Sequence, residues 1–361
     1  MRVLIVDDSP VLRLLLRSVC EDAGFEVCTA DSGEQALTLL ESYTPDIVTM
    51  DVHMPGIDGY ETTGRILERY ALPVVVLTAS ANANDAVTAM RALAVGALAV
   101  VEKPRGLNAP DFEQRIDELL RTLRSLAQIK VVRRPRPAAQ PQKTSPVPKP
   151  ILQAAPRLVA IGASAGGPVA LKSLLQGLQQ VPPWPMVLVQ HISTGFLPSF
   201  CQWLASLVSF SVQIAEDGQL LQPGVLYLAP DGKQLGVNAE PRVQLQEGTA
   251  QQQFCPSIDH LFNSVARRLG NRAIGIQLSG MGRDGAVGLA ELRRQGALTL
   301  VQEPGSAVID SMPRAAIDMQ AACQILGPEQ IAATLNALAR QEATEQAGKG
   351  GGASCTTTLK S

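Results

Sequence analysis

The sequence predicts an α/β protein with two domains, each built around a parallel β-sheet. In residues 1–128, short apolar runs alternate five times with amphipathic stretches, and a similar alternation resumes over 157–340. Strands that alternate with helices are typical of parallel sheets covered on both faces. A Pro-rich basic linker is predicted between the domains at 129–156. A disordered tail is predicted at 341–361, where Gly, Ala and Thr are abundant.

The first domain is predicted to alternate five strands with five helices. Its short apolar runs predict strands at Val3–Val6, Glu26–Thr29, Ile47–Met50, Val74–Leu77 and Leu98–Val101. Its amphipathic stretches predict helices at Val11–Asp22, Gly33–Ser42, Gly59–Tyr70, Asn84–Leu93 and Asp111–Ala127. This order favours a five-stranded parallel sheet, because each helix can carry the chain back to the start of the next strand.

The second domain is predicted from a further set of runs. Its strands are expected at Leu158–Ile161, Met186–Gln190, Val212–Ala215, Val225–Ala229, Ala273–Leu278 and Leu298–Val301. Its helices are expected at Pro168–Leu178, Gly195–Leu207, Ile258–Leu269 and Gly285–Gln295. We therefore expect a doubly wound α/β domain with a mostly parallel sheet.

Charge is distributed unevenly along the chain. Residues 1–129 have a net charge of −8, residues 130–157 of +7 and residues 158–361 of −1. The middle segment also contains seven prolines, which predicts an extended, semi-rigid linker. A basic arm that binds nucleic acid is the rival interpretation. The overall net charge of −2 disfavours it, and we expect no nucleic-acid partner.

Composition indicates a globular protein, with 46% hydrophobic and 18% charged residues. The longest nearly pure apolar run, residues 92–101, is too short to span a bilayer, so we expect no membrane insertion. Acidic residues at positions 7 and 8 argue against a signal peptide. The six cysteines form no C-x-x-C pair and are expected to be free thiols, which favours a cytoplasmic location.

Polar side chains follow several predicted strands of the first domain. Asp7 and Asp8 follow the first strand and Asp51 the third, whereas Thr78 and Lys103 follow the fourth and fifth. Carboxyl ends of parallel strands meet at one edge of a sheet, so three carboxylates would converge there and favour Mg²⁺. A hydroxyl and an ammonium at the same edge would bind a phosphoryl group. The alternative is that these residues are only helix caps and solvated loop acids. It is disfavoured because all five positions match the ends of predicted strands.

The first 128 residues resemble the response-regulator receiver family in the motifs I-V-D-D-S, M-D-V-H-M-P-G-I-D-G, L-T-A-S and E-K-P. The resemblance implies a flavodoxin-like fold and phosphorylation of Asp51 by a phosphorylated histidine kinase. It also implies Mg²⁺ bound by Asp7, Asp8, Asp51 and the backbone carbonyl of His53.

The same resemblance implies that Thr78 and Lys103 bind the phosphoryl oxygens. One position departs from the family. Receivers often carry an aromatic switch residue three positions before the lysine, and this chain has Val100 there. The usual relay through a flipping aromatic ring therefore lacks its side chain.

A Gly-rich turn follows the first strand of the second domain. Gly162, Ser164 and Gly166 fit G-x-S-x-G, the sharp strand-to-helix turn that exposes a serine nucleophile. A phosphate-binding loop and a plain tight turn remain open on this motif alone. A dinucleotide site is disfavoured, because G-x-G-x-x-G needs glycine in place of Ser164.

A serine nucleophile needs a base, and the chain has only three histidines. His53 belongs to the first domain, and His260 lies off the apolar stripe of its predicted helix. His191 directly follows a predicted strand whose end can adjoin that of the serine strand. Asp284 lies in the glycine-rich segment S-G-M-G-R-D-G-A after another strand, where it could orient the histidine or cap the helix Gly285–Gln295.

The second domain resembles the catalytic domain of the chemotaxis protein-glutamate methylesterase (CheB) family. The resemblance lies in V-A-I-G-A-S-A-G-G-P, V-Q-H-I, A-E-D-G, V-L-Y-L-A-P, P-S-I-D and L-S-G-M-G-R-D-G-A-V-G-L. It implies that Ser164 is the nucleophile, His191 the general base and Asp284 the orienting acid. The backbone N–H groups of Ala165 and Met281 would form the oxyanion hole.

This resemblance implies hydrolysis of glutamyl methyl esters on methylated chemoreceptors, without a cofactor for the esterase reaction, and deamidation of receptor glutamines. Two departures stand out. Family members often have His-Arg before P-S-I-D, where this chain has Phe254-Cys255, and His-Ile-Ser-Thr-Gly replaces a common His-Met-Pro run. The competing function is a response regulator with a non-enzymatic binding or DNA-binding output, which the net charge of −1 on the second domain disfavours.

Overall fold

The computed structural model describes residues 1–79, 90–104, 106, 109–129, 154–238, 240–249 and 253–350. Most of the predicted linker and of the predicted helix Asn84–Leu93 lies outside these residues, as does 351–361. Residues 90–95, at the end of that predicted helix, are helical.

The first domain contains a five-stranded parallel sheet in the order β2-β1-β3-β4-β5. Its strands are β1 Arg2–Val6, β2 Glu26–Ala30, β3 Ile47–Asp51, β4 Val74–Thr78 and β5 Ala99–Glu102. Its helices are α1 Pro10–Asp22, α2 Gly33–Leu39, α3 Gly59–Arg69, α4 (residues 90–95) and α5 Phe112–Leu126. This is the flavodoxin-like order, and it confirms the predicted fold.

Local sequence explains where these elements begin. The Ser9 side chain accepts a hydrogen bond from the Leu12 N–H, and Pro10 occupies the first turn of α1, where its missing N–H costs nothing. Strands β3 and β4 are buried along their whole length, as expected for the centre of a sheet covered on both faces.

The second domain is organised around a seven-stranded parallel sheet in the order β14-β13-β12-β6-β7-β9-β8. Its strands are β6 Leu158–Ala163, β7 Met186–Gln190, β8 Ser211–Ile214, β9 Val225–Leu228, β12 Ala273–Gln277, β13 Leu298–Gln302 and β14 Gln324–Leu326. Its helices are α6 Gly167–Gln176, α7 Leu197–Ala205, α8 Ile258–Leu269, α9 Ala286–Arg294, α10 Ser311–Asp318 and α11 Pro328–Gly350. The prediction of a mostly parallel sheet is confirmed.

Sequence patterns missed several elements of this domain. Strands β10 Lys233–Val237 and β11 Val243–Glu247 form an antiparallel pair apart from the main sheet. Glutamines and a glycine interrupt the apolar pattern of these two strands, so the local sequence does not predict them. They form because β10 pairs with β11 and packs on α8. Strand β14 has only three residues, and helices α10 and α11 were also not predicted.

The C-terminal segment differs from the expected tail. Helix α11 extends through Gly350, so the first ten residues of the predicted tail are helical. The helix is anchored to the domain because the indole N–H of Trp184 donates to Glu342 and the Asn336 amide donates to the Gly177 carbonyl. These long-range contacts outweigh a composition that favours disorder.

The two domains pack against each other at the carboxyl edge of the second sheet. Leu119, Leu123 and Leu126 of α5 share an apolar cluster with Val169 of α6 and with Val308 and Ile309. This packing brings the last helix of the first domain over the loops that carry the candidate site. Among the residues described, no helix is long and apolar enough to cross a membrane.

Candidate active site

The predicted acidic residues of the first domain meet at one point. Carboxylate oxygens of Asp7, Asp8 and Asp51 lie within 4.8 Å of one another. Asp7 and Asp51 are buried, whereas Asp8 is exposed. An all-oxygen donor set of this kind fits a hard divalent cation, which would relieve the repulsion among the three charges.

Lys103 completes this cluster. Its Nζ lies 2.8 Å from Asp7 Oδ2 and 2.7 Å from Asp51 Oδ2. Burial raises the pKa of Asp51 and the nearby Asp7 charge adds to this, which together outweigh the opposing effect of Lys103. Burial alone would lower the pKa of Lys103, but its two carboxylate partners raise it, so the lysine is a charged ammonium at neutral pH.

The remaining predicted residues lie around the same edge. Thr78 is the buried last residue of β4, and its carbonyl accepts a hydrogen bond from the Lys103 N–H at 2.7 Å. The backbone N–H of His53 donates to Asp51 Oδ1 at 3.2 Å. The sheet therefore gathers the whole predicted set, with Lys103 between two carboxylates.

Ser164 and His191 follow adjacent parallel strands of the second sheet. Residues at the ends of β6 and β7 are in register, since Ala163 pairs with Gln190, and the His191 N–H donates to the Ala163 carbonyl at 3.0 Å. Gly166 has φ of +75°, and a Cβ there would lie 2.6 Å from Ser279 Oγ. The sharp turn after Ser164 therefore requires glycine.

Asp284 reaches this site from β12, the neighbour of β6 on its other side. Its carboxylate accepts hydrogen bonds from Ser257 Oγ at 2.9 Å, the Ile258 N–H at 2.7 Å and the Asp259 N–H at 3.0 Å. Asp284 thus caps the N-terminus of α8. It does not cap the helix that follows it, which was the alternative predicted from sequence, because Gly285 occupies that position.

His191 and Asp284 form a close pair. His191 Nε2 lies 3.0 Å from Asp284 Oδ2, although the ring N–H is not well aligned with this oxygen. Hydrogen bonds of this kind are often loose in ligand-free sites and tighten with substrate. Burial alone would raise the pKa of Asp284, but the contact with His191 and the N–H donors of Asp259 and Ile258 hold it below the usual range.

Glutamine amides support the loops of this site, and sequence patterns missed them. Gln190 Nε2 donates to the Ser164 carbonyl at 2.9 Å and to the His191 carbonyl at 2.8 Å. Gln277 Nε2 donates to the Asp284 carbonyl at 3.0 Å. Each glutamine is the last residue of a buried strand, where an apolar amino acid could make no such bond. A glutamine at the end of an apolar run is the sequence feature from which Gln190 and Gln277 could have been predicted.

Ser279 connects the two loops that carry the predicted oxyanion N–H groups. Its hydroxyl lies 3.0 Å from the carbonyls of Ala165 and Ile309 and accepts the Ile309 N–H at 3.0 Å. Its carbonyl accepts the Ser164 N–H at 3.0 Å. Met281 follows two residues later, so the hydroxyl fixes the relative position of both loops.

Ser164 and His191 line a cavity of about 360 Å³. The second domain contributes Ser164, Ala165, Gln190, His191 and Met281 to its wall. The first domain contributes Val100 of β5 and Thr122, Ser125 and Leu126 of α5. The first domain therefore covers the candidate active site.

Two family models match the chain. The model described as CheB methylesterase matches residues 159–335, and the model described as Response regulator receiver domain matches residues 3–115. Their order agrees with the two domains of the structure.

Relatives match nearly the full length, and two of them illustrate the similarity. The "Protein-glutamate methylesterase/protein-glutamine glutaminase 3" of Hahella chejuensis is 47% identical over 94% of this chain and 98% of that protein. The corresponding protein 1 of Syntrophus aciditrophicus is 40% identical over the same shares. The crystal structure of the Thermotoga maritima CheB methylesterase catalytic domain is 29% identical and covers 51% of this chain and 100% of that one, with a TM-score of 0.49.

The resemblance noted in the sequence motifs is therefore confirmed by identity over almost the entire chain. The chain belongs to the CheB methylesterase family, with a response regulator receiver domain preceding the methylesterase domain.

Proposed function

We propose that this protein is a phosphorylation-regulated serine hydrolase that demethylates glutamyl methyl esters on chemoreceptors and deamidates receptor glutamines. The observation that carries the proposal is the His191–Asp284 pair, with Nε2 3.0 Å from Oδ2, beside a cavity that Ser164 and His191 both line. The names of the relatives, protein-glutamate methylesterase/protein-glutamine glutaminase, support the same activity.

The first half of the reaction forms an acyl-enzyme. Ser164 Oγ attacks the ester carbonyl carbon while His191 accepts its proton, and Asp284 stabilises the resulting imidazolium. Since Nε2 of His191 lies against Asp284, Nδ1 is the nitrogen that takes the proton. The N–H groups of Ala165 and Met281 hold the oxyanion.

Collapse of the tetrahedral intermediate completes the acyl-enzyme, and hydrolysis then releases the product. His191 returns its proton to the leaving methoxide, which departs as methanol and leaves the glutamyl carbonyl bonded to Ser164. Water then attacks this acyl group while His191 accepts a proton from it. The bond to Ser164 Oγ breaks, His191 returns the proton to Ser164 Oγ, and the free glutamate carboxylate is released. With a glutamine substrate, ammonia replaces methanol as the leaving group. The esterase reaction uses no cofactor.

The receiver controls this reaction through Asp51. A phosphorylated histidine kinase donates the phosphoryl group to the Asp51 carboxylate, and Thr78 and Lys103 bind the phosphoryl oxygens. Asp7, Asp8, Asp51 and the backbone carbonyl of His53 would hold Mg²⁺, which when bound neutralises charge on the transferred group. The clustering of the three carboxylates supports this assignment.

Phosphorylation opens the site. In the arrangement described above, Val100, Thr122 and Leu126 of the receiver line the Ser164 cavity and restrict a receptor helix from reaching it. The phosphorylated receiver shifts the population towards an open arrangement. The reaction takes place in the cytoplasm, on the cytoplasmic part of the receptors.

Methanol release from methylated receptor tests this function. The full-length protein should release methanol, faster with a small phosphodonor and Mg²⁺, and Ser164→Ala should reduce the rate by at least about a thousandfold. The fold should be retained, since the hydroxyl is at the cavity. Methanol release by Ser164→Ala near the wild-type rate, with unchanged thermal stability, would refute the nucleophile assignment.

A further inference from the structure

Phe254 makes a contact in the active site that the reaction described above does not use. Its ring stacks on the imidazole of His191, with ring centroids 4.6 Å apart and the ring planes at 9°. Phe254 is half-buried. It stands where members of the family often have the first residue of His-Arg.

The segment that carries Phe254 is held at both ends. The side-chain amide of Gln234, which is almost completely buried, donates to the Phe254 carbonyl at 2.7 Å and accepts the Ser257 N–H at 2.8 Å. Ser257 Oγ in turn donates to Asp284 at 2.9 Å. One short segment therefore contacts both partners of the His191–Asp284 pair.

We propose that Phe254 is a positioning residue that fixes the plane of the His191 ring between Ser164 and Asp284. Asp284 contacts the edge of the imidazole through Nε2, and a single contact at an edge leaves the ring free to rotate about χ2. Phe254 covers a face of the ring and removes that freedom. The edge contact and the face contact together define the orientation of the ring.

The inference rests on the proposed function, in which His191 becomes an imidazolium in the transition state. The face of a phenyl ring attracts a cation more strongly than a neutral ring. The stack is therefore stronger in the transition state than in the ground state, and its loss lowers kcat more than it raises KM.

Steady-state kinetics of the full-length, phosphodonor-activated protein test the role. Phe254→Leu keeps an apolar side chain without a ring and should lower kcat about tenfold with KM changed less than about twofold. Phe254→Tyr keeps the ring and should recover most of kcat. Cys255→Ser is the matched control on the neighbouring residue and should behave as wild type. An unchanged kcat in Phe254→Leu, or a loss confined to KM, overturns the proposal.

Proton NMR of the imidazole separates this inference from the proposed function, because it needs no catalysis. A phenyl ring stacked on an imidazole shifts its carbon-bound protons upfield. These resonances of His191, identified by their loss in His191→Gln, should move downfield in Phe254→Leu and stay near wild type in Phe254→Tyr. Identical resonances in wild type and Phe254→Leu overturn the stack even where Ser164→Ala is inactive. A fully active Ser164→Ala overturns the proposed function instead.

Discussion

Asp284 shows how one side chain can serve both the fold and the chemistry. Its carboxylate accepts two backbone N–H groups at the start of α8 and a hydroxyl from Ser257, and it also contacts His191. A helix N-terminus favours a negative charge, so the same donors that cap α8 keep the acid ionised for the histidine. Loss of the charge should therefore affect both stability and activity.

The stability of the second domain should depend on pH through Asp284. The pKa of this group is lower in the folded state than in the unfolded chain, where it is about 4. Its charge therefore stabilises the fold above pH 4. This contribution is lost as the pH falls through the lower pKa that Asp284 has in the folded protein. Asp284→Asn should cost about 1–3 kcal/mol at pH 7, and the difference from wild type should shrink below pH 4.

Urea unfolding followed by tryptophan fluorescence measures this difference, because both tryptophans, Trp184 and Trp203, lie in the second domain. Glu240→Gln, which removes an exposed acid, serves as the control and should show no such dependence. The expectation would be contradicted if the free energies of unfolding of Asp284→Asn and wild type differed by the same amount at pH 7 and at pH 3.

Asp51 is the predicted acceptor of the phosphoryl group because it ends β3 between the other acids and Lys103. Asp51→Asn should abolish Mg²⁺-dependent labelling by a phosphorylated histidine kinase, whereas Asp58→Asn should retain it. Asp58 caps α3, where its side chain accepts the Glu61 N–H at 2.7 Å. Mass spectrometry locates the label. A label on Asp58 in the wild-type protein would show that the geometry argument is wrong.

At the scale of elements, α5 is the helix of the first domain that reaches the Ser164 cavity. Its leucines belong to an apolar cluster that also contains Val169, Val308 and Ile309 of the second domain. Thr122, Ser125 and Leu126 line the cavity that contains Ser164. Val100 of β5 lines the same cavity. A larger residue on this face should therefore force the domains apart without touching the chemistry.

Thr122→Trp places a bulky ring where α5 faces the cavity. We expect the unphosphorylated variant to release methanol about five- to tenfold faster than wild type, because over-packing the contact destabilises the covered arrangement. Asp117→Trp, on the exposed side of the same helix, is the control and should not change the rate. Equal basal rates for Thr122→Trp and wild type would argue against covering by α5.

At the scale of the whole molecule, the acidic receiver and the hydrolase domain are joined by a basic, Pro-rich segment. Such a segment acts through its reach and stiffness, which set how often the domains meet. The apolar cluster that contains the leucines of α5 also contains Val169 of α6. We expect such a covered site to open when phosphorylation changes the receiver surface.

Removing the receiver should therefore release the hydrolase. The fragment Leu158–Ser361 should be more active than the unphosphorylated full-length protein, and a phosphodonor should activate only the full-length protein. Each tenfold change in the ratio of open to covered forms corresponds to about 1.4 kcal/mol. Circular dichroism checks that the fragment is folded. A slow but folded fragment, with a full-length protein that still responds to phosphodonor, would mean that the receiver stimulates the hydrolase.

The sequence by itself determined the first parallel sheet and six of the seven strands of the second. Its strand ends and family motifs indicated the residues proposed for the chemistry. Strands show as short apolar runs. The candidate catalytic groups lie directly after them or, for Asp284, in the following loop, because parallel strands all end at one edge. Ser164, His191 and Asp284 could therefore be predicted from strand ends that a sheet brings together, as could Asp7, Asp51 and Lys103.

Only the tertiary structure decided the contacts that cross between distant segments. The capping of α8 by Asp284, the stacking of Phe254 on His191, the pairing of β10 with β11 and the docking of α11 all join residues far apart in the chain. No local pattern encodes such contacts, because each depends on which surfaces the fold brings face to face. The same reason applies to the cover that α5 forms over the Ser164 cavity.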